Sequence, residues 1–330
     1  AACSSLGDVV KTEGNRNSEF TSPLLWADVT PDTRVVIAEM GMRGFQQIAH
    51  LAKMHQPTVG LITNIGYSHS ELVGGREGIA AAKGELLTEL PEDGVAVLYS
   101  EDEYLGNLIS LAGERKIRTF GLGGNADCQV TGYEAIDWYS SCVDGVLDGQ
   151  KWSATMPTVG RHIATNVAAA ILAATEAGVS LDQAADGIQN AVLPPLRMDI
   201  REYRGATLVM DNYNASPPAV LGAIQTLEEV PCGGRRYVVL GTMRELGEDS
   251  REAHLSVGRR LSRSKIDRII VFGEETEFIV SDFLRRGGDG SKIIRVGSLE
   301  EIRQQLSDVA AGDAILVKGS RALELEKVFE

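Results

Sequence analysis

The passage Pro57-Thr-Val-Gly-Leu-Ile-Thr63-Asn-Ile-Gly-Tyr-Ser-His69-Ser-Glu-Leu-Val-Gly-Gly75-Arg-Glu-Gly-Ile-Ala-Ala-Ala-Lys83-Gly-Glu-Leu-Leu87 decides the class of fold. Pro57 to Ile62 is an apolar run of strand length that ends at Thr63-Asn64. Arg76 to Leu87 is rich in helix formers, with Ile79, Ala82, Leu86 and Leu87 at helical spacing. Strand, loop and helix in that order are the repeat of an α/β sheet, whose ligands gather in loops beyond the carboxyl ends of the strands. His69 falls in that loop, and Lys83 lies mid-helix after Ala80-Ala81-Ala82. As two isolated residues, His69 reads as a loop cap and Lys83 as a solvated helix lysine, because lysines mostly stay at the surface. Any other role needs partners from elsewhere in the chain.

The same alternation extends in both directions. Arg34 to Ala38 is an apolar strand with Glu39 at its tip, followed by Met40-Gly-Met-Arg-Gly44 and a helix from Phe45 to Met54. An acid at the tip of a buried strand is either desolvated at a cost or paired with a cation. Glu39 and His69, on consecutive tips, are therefore a candidate pair of metal ligands. Upstream, the first residues read as a helix end entering a strand at Asp8 to Lys11. Thr12 to Glu19 is a polar loop holding Asn15 and Asn17, with a helix start near Pro23. Downstream come a strand at Gly94 to Tyr99, a helix at Glu103 to Gly113 and a strand at Arg118 to Gly121. Gly121-Leu-Gly-Gly-Asn-Ala126 matches the GxGxxA of a dinucleotide site, but that fingerprint needs a helix directly afterwards. Cys128 to Gly132 and Val143 to Gly149 read instead as strands and hairpins, so the glycines are assigned to a turn.

Thr158 to Asn166 opens an alanine-rich helix running to Glu176. Asn166 lies in its first turns, where free N–H groups and the positive dipole end suit a phosphate or a nucleobase edge. Helix Leu181 to Ala191 and the stiff Leu193-Pro-Pro-Leu-Arg197 close the first half, giving domains of residues 1–195 and 196–330. The second half restarts with a strand at Ala206 to Met210, then Asp211 to Ser216, with Ser216 as N-cap and Pro217 at the first helical position. Strands at 237–240, 268–272, 293–296 and 314–317 alternate with helices at 251–262, 275–285 and 299–310. Lys318-Gly-Ser-Arg321 leads to a last helix. The expected class is α/β, with a mainly parallel sheet in the first domain and a Rossmann-like doubly wound sheet in the second.

Composition narrows the chemistry. At 330 residues and 43% hydrophobic content the chain can build two cores. A net charge of −14 makes a nucleic-acid backbone or an anionic membrane a poor partner, so an anionic substrate needs local cations or a metal. Cys3, Cys128, Cys142 and Cys232 show no CxxC pair and no zinc or disulfide spacing, which fits a reducing, cytoplasmic setting. There is no signal-peptide pattern at the start, and no apolar run reaches the roughly 18 residues that span a bilayer. Gly66-Tyr-Ser68-His-Ser70 lacks the second glycine of a nucleophile elbow. His50 and His55 are spaced wrongly for a zinc protease.

In colinear order, TEGNRNSE, AEMGM, ITNIGYSHSELVGGREGIAAAKGEL, PEDGVAVL, GRHIATNVAAA, PLRM, DNYNASP, GTMRELG and LVKGSR resemble the Mur ligases. These are ATP-dependent amide-bond-forming enzymes of peptidoglycan precursor synthesis. The resemblance implies that Glu39 and His69 match magnesium ligands and that Lys83 matches a lysine that such ligases carbamylate. It implies that Asn166, Arg197 and Asp211 match positions around ATP, at the adenine, the γ-phosphate side and the ribose. Asn15 and Asn17 resemble the loop that meets the muramoyl substrate, and Asn214, Lys318 and Arg321 match substrate-side motifs of the C-terminal domain. The DNYNASP run favours the branch that adds D-alanyl-D-alanine to a UDP-muramoyl tripeptide over folylpolyglutamate ligases, which would show a DGAHN-like run. The implied reaction passes through an acyl phosphate.

Such ligases carry a GxxGKT/S phosphate loop shortly before the position where this chain begins, and no such motif occurs in the 330 residues. The expectation is a central ATPase domain truncated at its N-terminus, lacking the phosphate cradle and the domain that grips the UDP sugar, which another segment or subunit would supply. The isolated chain is then expected to be inactive or nearly so. Smaller departures are Ile163 for Asn, Ser18 for Asn in the GNxNN loop and Thr242 where GDM is usual. The alternatives are a sibling Mur-type or polyglutamate-type ligase, or a non-catalytic ligase-fold binding protein.

Overall fold

The computed structural model describes residues 1–67 and 70–330. They form two units, one of Ala1–Glu134, Ser141–Pro157 and Ile163–Val192, the other of Ala135–Ser140, Thr158–His162 and Leu193–Glu330.

In the first unit β1 (Asp8–Lys11) and β2 (Thr33–Ile37) pair in parallel as a two-stranded sheet. Then follow α1 (Gln47–His55), β3 (Val59–Ile62), the short α2 (Ser70–Val73), α3 (Arg76–Thr88), β4 (Val95–Tyr99), α4 (Leu105–Ala112) and β5 (Lys116–Gly121). After β6 (Cys128–Ala135), β7 (Ser141–Leu147) and β8 (Gln150–Met156) come α5 (Arg161–Glu176) and α6 (Leu181–Gly187). Strands β3 to β8 make one sheet in sequence order, parallel from β3 to β6, with β7 and β8 antiparallel. The β7–β8 turn places Asp148 (φ 49°) and Gly149 (φ 82°) in the left-handed region, as a twisted two-residue hairpin requires. Helix α3 forms where the sequence places it because Ile79, Ala82 and Leu87 recur on one face and are all at most 1% exposed. Burying a large aliphatic side chain contributes about 1.5–3 kcal/mol. Gly84 lets α4 approach, since a Cβ there would stand 2.3 Å from Leu111 Cδ1.

The second unit runs β9 (Asp199–Tyr203), β10 (Ala206–Met210), α7 (Pro217–Glu229), β11 (Arg236–Gly241), α8 (Ser250–Leu261), β12 (Arg268–Phe272), α9 (Thr276–Arg285), β13 (Ile293–Val296), α10 (Leu299–Gln305) and β14 (Ala314–Lys318). Its strand order is β13-β12-β11-β14-β10-β9, parallel except for the antiparallel edge pair β9–β10. From β10 the chain steps outward through β11, β12 and β13, then returns to insert β14 between β11 and β10. That reversal is a topological switch point, and a doubly wound sheet binds ligands beyond the strand ends there. The tips concerned are Asp211-Asn212, Gly241-Thr242 and Lys318-Gly319. Gly319 is required at its tip: a Cβ would lie 2.9 Å from Gly241 Cα.

Several expectations are corrected. The last helix is two 3-10 turns, Arg321–Leu323 and Leu325–Val328, broken by Glu324 at φ 49°. The segment from Pro23 is likewise 3-10, Ser22–Asp28. Helix α10 ends at Gln305, and α6 gives way to a 3-10 turn at Ile188–Asn190. Strand β9 was not foreseen. Ser216 stands at the N-cap of α7 with proline following, but its hydroxyl makes no capping hydrogen bond. Gly121 to Ala126 is a turn that enters β6, as the sequence leads one to expect. No described helix is long and apolar enough to cross a membrane.

Candidate active site

The loop after β3 is held from three directions. Lys83 Nζ donates to Asn64 O at 2.8 Å, Asp102 Oδ2 accepts from Ile65 N at 2.7 Å, and Arg76 Nη2 donates to Ile65 O at 3.3 Å. The Arg76 guanidinium stands over the rings of Tyr67 and Tyr104, 4.9 and 5.1 Å from their centroids, and pairs with Glu103 at 2.6 Å. Burial pushes the Lys83 pKa down, with the negative charge of Asp102 opposing the shift, which enlarges the neutral-amine fraction. Farther along α3, Glu85 accepts from the N–H groups of Gln46 (2.6 Å) and Ala49 (3.1 Å) at the start of α1, where a carboxylate suits the dipole. His69, the expected ligand at this strand tip, lies outside the described residues.

At the tip of β2, Glu39 is exposed and its Oε1 accepts from Asn17 Nδ2 at 2.9 Å. The polar loop is laced to this tip by Thr12 N to Ile37 O (3.0 Å), Glu39 N to Thr12 Oγ1 (2.9 Å) and Gly41 N to Asn17 O (2.8 Å). Gly41 permits the approach, because a Cβ there would be 2.9 Å from Asn17 Cγ. Thus the structure brings Asn17 to Glu39; Asn15 is exposed two residues earlier. Asn166 is exposed on α5 in this unit. No described contact joins Glu39 to Lys83, and no described cluster of three or more His, Cys, Asp or Glu side chains could hold a metal.

The second unit gathers Asp211, Asn214 and Lys318. Lys318 Nζ donates to Asp211 Oδ2 (2.6 Å), Asp211 O (3.0 Å) and Asn214 O (3.0 Å), and Asp211 Oδ1 accepts from Met198 N at 3.2 Å. Arg197 is exposed, stacked 4.5 Å above the Tyr213 ring, between Leu196 (φ 61°) and Met198 (φ 50°). A left-handed conformation costs a residue with a side chain about 1–2 kcal/mol, a cost that must be offset by fixed contacts; one is Tyr213 N to Leu196 O at 3.1 Å. Glu326 bridges Arg321 and Asn212. Two buried polar atoms at the switch point, Asn212 Oδ1 and Thr242 Oγ1, have no hydrogen-bond partner among the described residues. Leaving such an atom unpaired costs about 1–3 kcal/mol, which a bound ligand would relieve. Two histidines of this unit have pKa values shifted by their burial. Burial lowers the pKa of His162 and of His254, whose Nε2 accepts from Met243 N at 3.1 Å and so holds the loop after β11.

Sequence reasoning missed Asp102, Arg76, Glu85, Asn212 and Glu326. Asp102 alone left a signal, as an acid just ahead of a helix whose Tyr104 N it also binds at 2.9 Å. One apparent dyad proves inert. Ser22 Oγ lies 2.5 Å from His55 Nε2, but Trp26 Nε1 donates to His55 Nδ1 at 3.1 Å. The ring proton therefore sits on Nε2 and is donated to the serine, so His55 cannot act as its base.

The family model for the Mur ligase middle domain matches residues 1–174, and that for the Mur ligase glutamate ligase domain matches residues 196–321. The chain is 31% identical over 324 residues to the UDP-N-acetylmuramoyl-tripeptide--D-alanyl-D-alanine ligase of Bacillus subtilis, covering 98% of this chain and 69% of that one. It is 30% identical over 332 residues to the enzyme of the same name from Escherichia coli, covering 99% and 72%. Among solved structures, MurF from Acinetobacter baumannii superposes with a TM-score of 0.88 at 25% identity, covering 99% of this chain and 71% of that one. The MurF ligase from Thermotoga maritima in complex with ADP gives 0.83 at 30% identity, covering 97% and 72%.

Proposed function

The chain belongs to the Mur ligase family, and from that premise we propose how its residues join D-alanyl-D-alanine to a UDP-N-acetylmuramoyl tripeptide with ATP as the activating substrate. A carboxylate oxygen of the tripeptide attacks the γ-phosphorus of ATP, the bond to the β-phosphate oxygen breaks, and ADP leaves an acyl phosphate. The dipeptide amine then attacks the acyl carbon. The tetrahedral intermediate expels phosphate, the nitrogen loses a proton, and the amide remains.

In the first unit Asn15 and Asn17 serve the muramoyl side and Asn166 the adenine edge; in the second, Asp211 serves the ribose and Arg197 the γ-phosphate side. Arg197 suits that task because a guanidinium matches phosphate oxygens bidentately, and its strained segment and stack on Tyr213 aim it. Asn214 and Arg321 lie on the dipeptide side, where the orphaned Asn212 Oδ1 and Thr242 Oγ1 offer further polar contacts.

Magnesium takes oxygen ligands, and the exposed Glu39 carboxylate fits. Lys83 fits only as its carbamate, since its ammonium donates to Asn64 O and has no lone pair. The lowered Lys83 pKa favours the free amine whose nitrogen adds to the carbon of CO2, with a proton released. His69 would complete the set. A metal so held would spread the charge of the transferring phosphoryl oxygens. The observation that carries this reading is the 2.9 Å hydrogen bond from Asn17 to Glu39, which joins the substrate loop to the metal-side carboxylate.

The test uses the protein as its native host makes it, with the tripeptide carboxyl labelled with 18O. The expected result is transfer of label into inorganic phosphate in step with amide formation, read by 31P NMR. Unlabelled phosphate accompanying product would overturn the acyl-phosphate route.

A further inference from the structure

We propose that Lys318 is a positioning residue rather than a substrate contact: it fixes Asp211 and, through Asp211, the Leu196–Met198 segment that presents Arg197. The proposal rests on the nucleotide roles assigned above to Asp211 and Arg197. Lys318 ends β14 and is 3% exposed. An ammonium has three N–H donors, and the two acceptors on Asp211 and the one on Asn214 take them all. A carboxylate of substrate could reach Nζ only by displacing one of these. Asp211 passes the constraint on, because its second oxygen holds Met198 N, and Met198 is one of the two left-handed residues flanking Arg197. Tyr213 closes the circuit: its N–H holds Leu196 O and its ring carries the guanidinium. One buried cation thus ties together the tip of β14, the loop after β10 and the segment before β9.

Steady-state kinetics of the native enzyme separates the two roles. For Lys318→Met, KM for ATP is expected to rise by about tenfold or more, as misplacement of an aiming group does, while KM for the dipeptide rises less, because Asn214 keeps its side chain and loses only the contact at its backbone carbonyl. A raised dipeptide KM with unchanged ATP KM overturns the proposal. Asp211→Asn separates the premise from the inference. If it leaves ATP KM unchanged, the ribose reading of Asp211 fails; if it raises ATP KM and Lys318→Met does not, the positioning role fails. A measurement on the unaltered protein stands whether or not the variants fold. Under acetylation followed by peptide mass spectrometry, Lys318 is expected to react far more slowly than the exposed Lys151, with or without saturating dipeptide. Rapid labelling that the dipeptide suppresses would refute it.

Discussion

Replacing Asp102 with alanine would remove the floor under the loop after β3. Its two carboxylate oxygens accept from Ile65 N at 2.7 Å and Tyr104 N at 2.9 Å. Ile65 is 4% exposed, so its N–H has little access to water once the acceptor is gone. Losing a hydrogen bond to a charged group costs about 1.5–3 kcal/mol, with the upper half applying where a buried donor is orphaned. Tyr104 N lies at the start of α4, where loss of a cap costs about 1 kcal/mol. Together the penalty is about 3–4 kcal/mol, and for a domain of roughly 150–250 residues this lowers Tm by on the order of 10 °C. Differential scanning calorimetry of wild type, Asp102→Ala and Asp102→Asn measures it, with the asparagine variant intermediate because it keeps one carbonyl acceptor. A second readout concerns charge. Asp102 opposes the burial that lowers the Lys83 pKa, so its loss should speed acylation of Lys83 near neutral pH. Alanine and asparagine variants melting within about 2 °C of wild type would show that the loop is not anchored here.

Gly41→Ala would push a Cβ to 2.9 Å from Asn17 and break its bond to Glu39; KM for the muramoyl tripeptide should rise about tenfold or more, with steady-state kinetics as the check and unchanged KM as the contrary result. The Ser22–His55–Trp26 clasp should be acid-sensitive. Burial holds His55 below its ordinary 6.5, so the stability it contributes is present above 6.5 and lost as pH falls through the folded-state value. Thermal melts between about pH 7.5 and 5 should therefore show a steeper loss in wild type than in His55→Gln; His162 and His254, also depressed, are common to both proteins.

The sequence was most legible where burial has a period. Helix α3 falls at its expected position because it repeats an apolar face, and β10, β12 and β13 do so because they are short apolar runs bounded by turns. Strand β9 escaped because Asp-Ile-Arg-Glu-Tyr is an edge strand with no buried residue. The final helix failed because Glu324 turns left-handed, which no propensity foretells. The candidate site residues could be named from the sequence as chemical types, while the groups they contact could not. The acceptors of Lys318 come from more than a hundred residues earlier, so nothing local distinguishes a strand-tip lysine that reaches outward from one folded into its own sheet. Arg76 and Glu85 likewise look like ordinary surface charges of a helix until the segments they meet are placed.

Helix α3 acts on its surroundings as a ruler. Arg76 at its first turn grips Ile65 O, Lys83 grips Asn64 O, and Glu85 grips the start of α1. Arg76 and Lys83 are two turns apart, about 10.5 Å of rise, and return to the same face. A single inserted or deleted residue between them would swing every later grip by roughly 100° and release the loop and α1 together, while also turning Ile79 or Leu87 out of the core. Only exposed positions off the grips and the buried face, such as Glu77, Ala81 and Thr88, can be exchanged at small cost, and the number of residues between the grips cannot change, so this stretch is constrained in its length as well as in its composition.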